Sequence, residues 1–192
     1  MQMSTTAKTF TADEFYRLDE LGFFEDGRRL ELLEGQIVYR CEDVGPEHLS
    51  VVARMTEKFV IALGDRANVF PQASLRLTST SAPMPDIYLA YRREDYYRAG
   101  GPSIEQLVAV VEVAHTSLVI DRGEKLRTYA RARVGEYWIA NLRDWTIEKH
   151  LLPNDRGYAE VRPYSGRDII AFEAFPETTF SVDDLLGPQT QA

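Results

Sequence analysis

The chain has 192 residues, 44% of them hydrophobic and 27% charged, with a net charge of −8 and one cysteine. That length suffices for one folded unit with a substantial core, and a surplus of acid argues against a protein that coats nucleic acid non-specifically. No apolar run approaches the ~20 residues of a membrane span, the first ten residues lack an apolar signal core, and a lone Cys41 makes no internal disulfide. These features lead us to expect a cytoplasmic protein, one domain over 1–192 with a core of about 12–185, and no membrane partner.

In chain order, Thr11-Ala12-Asp13-Glu14 has the form of a capping box, and a short helix carrying Phe15, Leu18 and Leu21 should follow and end at Gly22. Arg29–Leu33 and Gln36–Cys41 read as two strands about Glu34-Gly35. From Pro46 to Leu63 the apolar residues recur at helical spacing, and Gly64 is a fitting stop. Short strands are expected at Asn68–Pro71, Ser74–Leu77 and Asp86–Tyr91, with a polar loop from Thr78 to Pro85. Leu107–Ala114 is nearly all apolar and Val-rich, as is typical of a central strand buried on both faces.

A helix is predicted over about 117–133. Glu136–Asn141, Trp145–Leu151 and Gly157–Tyr164 read as strands, with turns at 142–144 and 153–156 and a last helical turn within 181–187. The pattern predicts an α/β fold with a mixed β-sheet flanked by helices, including a crossover from the Leu107–Ala114 strand through the helix to the next strand.

Two acids stand out against this background. Asp86 heads the apolar run Ile87–Tyr91, and Glu112 lies inside Leu107–Ala114. A lone carboxylate in such a strand is costly to bury unless it is paired or bound to a cation. Two of them on neighbouring strands point to a shared divalent ion, since carboxylates held close together repel without one. Magnesium suits oxygen donors and keeps several waters, so Asp86, Glu112 and the Val113 carbonyl suffice; manganese is expected to substitute.

Such an ion activates water for phosphodiester hydrolysis, and a nearby ammonium stabilises the developing charge. Lys125 is the natural ammonium. Asp121, Lys125 and Tyr129 recur at intervals of four and so share one helical face. Glu31, in Leu30-Glu31-Leu32, is positioned to join from another element, and His48 opens the second helix. The basic residues Arg122, Lys125, Arg127, Arg131 and Arg133 make this segment a candidate phosphate-facing surface. His48, His115 and His150 lack zinc-ligand spacing, and no nucleophile elbow, P-loop or dinucleotide fingerprint occurs.

Pro85-Asp86, followed after 25 residues by Glu112-Val113-Ala114, resembles the PD-(D/E)xK nuclease superfamily. Leu30-Glu31-Leu32-Leu33-Glu34-Gly35, Pro46-Glu47-His48, Pro83-Met84-Pro85-Asp86 and Val111-Glu112-Val113 resemble one branch of it, the Uma-two family of restriction-endonuclease-like proteins. The most distinctive block is Asp121 to Ala130, followed by Val134-Gly135-Glu136-Tyr137-Trp138-Ile139. The resemblance implies a restriction-endonuclease-like core, a magnesium-type site and DNA cleavage. It also implies that the lysine has moved from the strand, where Ala114 now stands, to the helix at Lys125. His115-Thr116 departs from the family's usual Ser-Pro. Cutting two strands favours a homodimer by analogy. The alternative is a degenerate nuclease fold that binds DNA or a protein partner without cleaving, and a second is a metal hydrolase acting on another phosphoester.

Overall fold

The computed structural model describes residues 8–24, 30–39 and 45–189. The readings for Arg29 and Cys41 lie outside these residues. The element order is α1 (Ala12–Glu20), β1 (Leu30–Leu33), β2 (Gln36–Tyr39), α2 (Pro46–Leu63), β3 (Ala67–Pro71), β4 (Ile87–Tyr91), a 3₁₀ turn (Ile104–Gln106) and β5 (Leu107–Ala114). A composite helix follows: α3 (Leu118–Ile120), a π-turn (Asp121–Lys125) and α4 (Leu126–Arg131). The chain ends with β6 (Glu136–Asn141), β7 (Thr146–Asn154), β8 (Gly157–Ser165), β9 (Ile169–Phe172), β10 (Phe175–Ser181) and α5 (Val182–Leu186). No helix among the described residues is long and apolar enough to cross a membrane.

Six strands form one mixed sheet in the order β3-β4-β5-β6-β7-β8. Every pairing in it is antiparallel except β5 with β6, the two strands joined by the composite helix. The expected mixed sheet with flanking helices and a parallel crossover is therefore present. β5 is central, and seven of its eight residues are buried, because a Val-rich strand covered on both faces has nowhere to place a polar side chain cheaply.

Two cores follow from the two-residue period of β5. Val111 and Val113 point into a cluster with Val52, Met55, Phe59, Trp138 and Phe172 beneath α2, β9, β10 and α5. Val110 and Ala114 point the other way, into a cluster with Leu118, Tyr129 and Tyr137 under the composite helix. Glu112 shares that second face by parity. A smaller cluster packs α1 (Ala12, Phe15) against Leu30 and Leu32 of β1.

Local chemistry sets several boundaries. Both halves of the Thr11–Glu14 capping box are made. The β1–β2 turn has Glu34 at φ 49° and Gly35 at φ 83°, the paired positive angles of a two-residue hairpin turn. Gly35 is also required by space, since a Cβ there would lie 2.9 Å from the Thr9 Cβ. α2 begins with Pro46 in its first turn and stops at Gly64, as expected, although Leu49, Val60 and Ile61 face outward.

Four expectations need correction. Ser74–Leu77 forms no strand: the Leu75 and Leu77 amides bond to the Pro83 and Ser81 carbonyls, so this segment is satisfied by its own loop. Pro153 and Asn154 belong to β7, leaving Asp155-Arg156 as the turn. The β9–β10 hairpin was not anticipated. The helix expected over 117–133 is not uniform, because its middle turn is π.

The phosphate-facing surface also needs revision, since most of its arginines are engaged with acids. Arg122 pairs with Glu148 on β7, Arg131 with Glu34, and Arg133 with Asp155. Burial raises the Glu148 carboxyl, but contacts from His150 and Arg122 outweigh it and hold the group at about 2, below its ordinary 4.5. The folded state therefore binds fewer protons there, so this contribution is present above pH 4.5 and is lost as pH falls toward 2. Urea unfolding at pH 6 and pH 3 should show the native protein losing more stability on acidification than Glu148→Gln; parallel losses would refute the assignment.

Candidate active site

Asp86 directly precedes β4, and Ile87 lies opposite Val111 in the antiparallel β4–β5 register. The side-chain parity of both strands thus turns Asp86 and Glu112 to the same face, toward the composite helix. Both residues are fully buried. The Asp86 amide lies 3.4 Å from Glu112 Oε2, and the Val113 amide donates to Asp86 Oδ2 at 2.9 Å. In a strand the N–H and C=O of one residue point to the same side, so the Val113 carbonyl opens on the same side of β5 as its amide.

Lys125 reaches this pair from the end of the π-turn. Its Nζ lies 2.9 Å from Glu112 Oε1 and 3.0 Å from Glu31 Oε1. A π-turn fits one more residue into the turn than an α-helix does, and such turns recur at functional sites. Glu31 is buried on β1 and is held a second time, by the Met84 amide at 3.1 Å. Met84 sits between Pro83 and Pro85, which have no amide hydrogens, so it supplies the one donor in that triplet.

Tyr129, one turn beyond Lys125, donates to Glu112 Oε1 at 2.7 Å. Burial, and then the charges of Glu112 and Glu31, push the Tyr129 hydroxyl well above its ordinary range, so it stays protonated and remains a donor. Tyr137 lies beside it, with ring centroids 4.9 Å apart, and its hydroxyl donates to the Asp121 carbonyl at 3.1 Å. Burial, and then the charges of Asp121, Glu112 and Asp86, raise the Tyr137 hydroxyl too. Asp121 is fully buried at the start of the π-turn. His48, in the first turn of α2, places Nε2 3.0 Å from Asp86 Oδ2.

The structure thus brings Glu31, His48, Asp86, Glu112, Lys125 and Tyr129 into one connected cluster, with Val113 at its edge and Asp121 beside Tyr137. Sequence reasoning did not anticipate the Met84 amide, for which the alternation Pro83-Met84-Pro85 was the only available signal. It also missed a second buried ionic group on the opposite sheet face. There Lys149 Nζ lies 3.1 Å from Glu136 and 2.7 Å from Glu173, and donates to the Ala171 carbonyl. Burial raises the Glu136 carboxyl. These groups fasten the β9–β10 hairpin to the sheet and lie away from Glu112.

Chemically, the cluster offers oxygen donors from Asp86, Glu112 and Val113 beside a lysine ammonium. Among the described residues, no three His, Cys, Asp or Glu side chains converge as a ready metal cage. A magnesium-type ion does not need one, because waters fill much of its shell.

Residues 12–183 match the sequence profile of the Uma2 family, described as "Putative restriction endonuclease". No curated protein matches the chain. Among solved structures, the fold is similar to that of "a putative nuclease belonging to DUF820" from Anabaena variabilis ATCC 29413. The TM-score is 0.68 at 15% sequence identity, covering 92% of this chain and 97% of that one.

Proposed function

The chain belongs to the Uma2 family, and from that premise we propose that it is a metal-dependent endodeoxyribonuclease hydrolysing DNA phosphodiester bonds. The observation that carries the proposal is the meeting of Asp86 and Glu112 on one sheet face with Lys125 against Glu112. The donor set is all oxygen and includes two carboxylates, which fits magnesium, with manganese as a substitute. Asp86, Glu112 and the Val113 carbonyl would hold the ion. When bound, it lowers the pKa of a water and offsets charge on the phosphate.

The remaining work falls to the chain. Lys125 orients the attacking water and stabilises the charge that develops on the phosphoryl oxygens. Glu31 completes the acidic cluster and holds the ammonium from its other side. Tyr129 fixes the Glu112 carboxylate by its hydrogen bond to Oε1. Ala114 leaves the strand position without a lysine, and Lys125 brings an ammonium to the same carboxylate from the helix. This favours an active enzyme over a degenerate binding fold. A duplex presents two strands, so we further propose that two copies of the chain act together.

A substrate panel tests the proposal. With manganese present, supercoiled plasmid should be nicked and linearised, while RNA and small nucleotide esters remain intact. Cleavage of the esters alone would move the protein to another class of phosphoester hydrolase, and binding of plasmid without cleavage would favour the degenerate fold.

A further inference from the structure

We infer that His48 is a positioning residue: its Nε2–H holds the Asp86 carboxylate in the orientation that receives the cation. The inference rests on the metal site proposed above and goes beyond it by assigning a second-tier role to a residue outside the ligand set. His48 enters from α2, an element that supplies none of the proposed ligands. Its side chain is 11% exposed and its Nε2 lies 3.0 Å from Asp86 Oδ2.

The tautomer follows from the surroundings. Nδ1 is buried and has no hydrogen-bond partner among the described residues. A proton on Nδ1 would strand a buried donor and turn the Nε2 lone pair toward a carboxylate. A proton on Nε2 donates to Asp86 and leaves only a weakly demanding acceptor unpaired. The ring is therefore a donor to Asp86 through Nε2.

The same Oδ2 also accepts from the Val113 amide at 2.9 Å. The terminal torsion of an aspartate is broad when unrestrained, and two donors from different directions on one oxygen remove that freedom. One donor comes from the strand that carries Glu112 and Val113; the other comes from the start of α2, the helix packed on the opposite face of the sheet. With both in place, the carboxylate plane is fixed relative to Glu112 before any ion arrives. His48 is not a ligand in this arrangement, because the nitrogen facing the site is occupied by Asp86. Partners of this kind, one bond removed from the metal, typically change affinity ~10–100-fold when lost.

Manganese binding measured by electron paramagnetic resonance on the full chain tests this without relying on cleavage. His48→Phe keeps the ring volume without a donor, and His48→Leu provides a second donorless variant should the first fail to fold. His48→Gln keeps an N–H at the reach of Nε2. We expect the donorless variants to bind manganese ~10-fold or more weakly, and the Gln variant to stay within ~3-fold of native. Native affinity in a donorless variant, or equal weakening in the Gln variant, would overturn the inference. Asp86→Asn separates the two levels of the proposal. If the native protein binds no manganese, or binds it equally after Asp86→Asn, the metal site itself is wrong and the inference falls with it. If Asp86→Asn abolishes binding while His48→Phe leaves it intact, only the role of His48 is lost.

Discussion

Glu112→Ala should lower manganese-dependent plasmid cleavage at least ~100-fold, because it removes a proposed ligand of the ion that would activate the attacking water. The variant should remain folded. Lys125 keeps its partner Glu31 at 3.0 Å, and the strand around position 112 is held by its apolar neighbours. Glu112→Gln is the sharper companion. It preserves an oxygen that can accept from Lys125 and Tyr129, yet it lacks the charge that a hard cation requires, so its loss should be nearly as large. Equal cutting by the native protein and both variants would mean that a contaminant or a different site does the chemistry.

Lys125→Met should be the most damaging single change to stability in metal-free buffer. Its ammonium sits between Glu31 and Glu112, and all three side chains are almost wholly buried. Removing one partner of such a group typically costs about 3–5 kcal/mol, since the remaining charges lose compensation without regaining water. The test lies in how the loss responds to ions. A divalent cation that binds the folded state adds about 2.7 kcal/mol at 100 times its Kd, so magnesium should recover part of the lost melting temperature. Cleavage should not return with it, because the group proposed to orient the water is gone. A variant that melts like the native protein in EDTA, or cuts plasmid at the native rate, would refute the assignment of Lys125.

The elements that sequence periodicity predicted well are those whose pattern is set by local chemistry. Pro46 and Gly64 bracket α2, the capping box opens α1, and the Val-rich run marks β5 as the centre of the sheet. The candidate site was legible for a related reason. Glu112 is conspicuous because nothing around it in sequence is polar, and Asp86 stands at the boundary between a polar loop and an apolar run. What stayed hidden depends on contacts between distant parts of the chain. The π-turn cannot be read from spacing, because intervals of four describe an α-helix equally well. Ser74–Leu77 has strand-like composition, but its amides are taken by a neighbouring loop. The burial of Glu136 and Lys149, on the adjacent strands β6 and β7, depends on the distant β9–β10 hairpin, which has no glycine in its turn.

The acidic cluster is gathered from β1, the start of α2, the residue ahead of β4, the middle of β5 and the composite helix. Glu31 and Lys125, which touch, are separated by nearly half the chain. Contacts of such high sequence separation carry a large loop-closure entropy and form only when most of the topology is in place. A ribosome-bound nascent chain that has not yet released the helix after β5 lacks the ammonium altogether. On the proposed reading, phosphodiester cleavage is thereby tied to completion of folding, and a proteolytic fragment that ends before Lys125 would lack the activity.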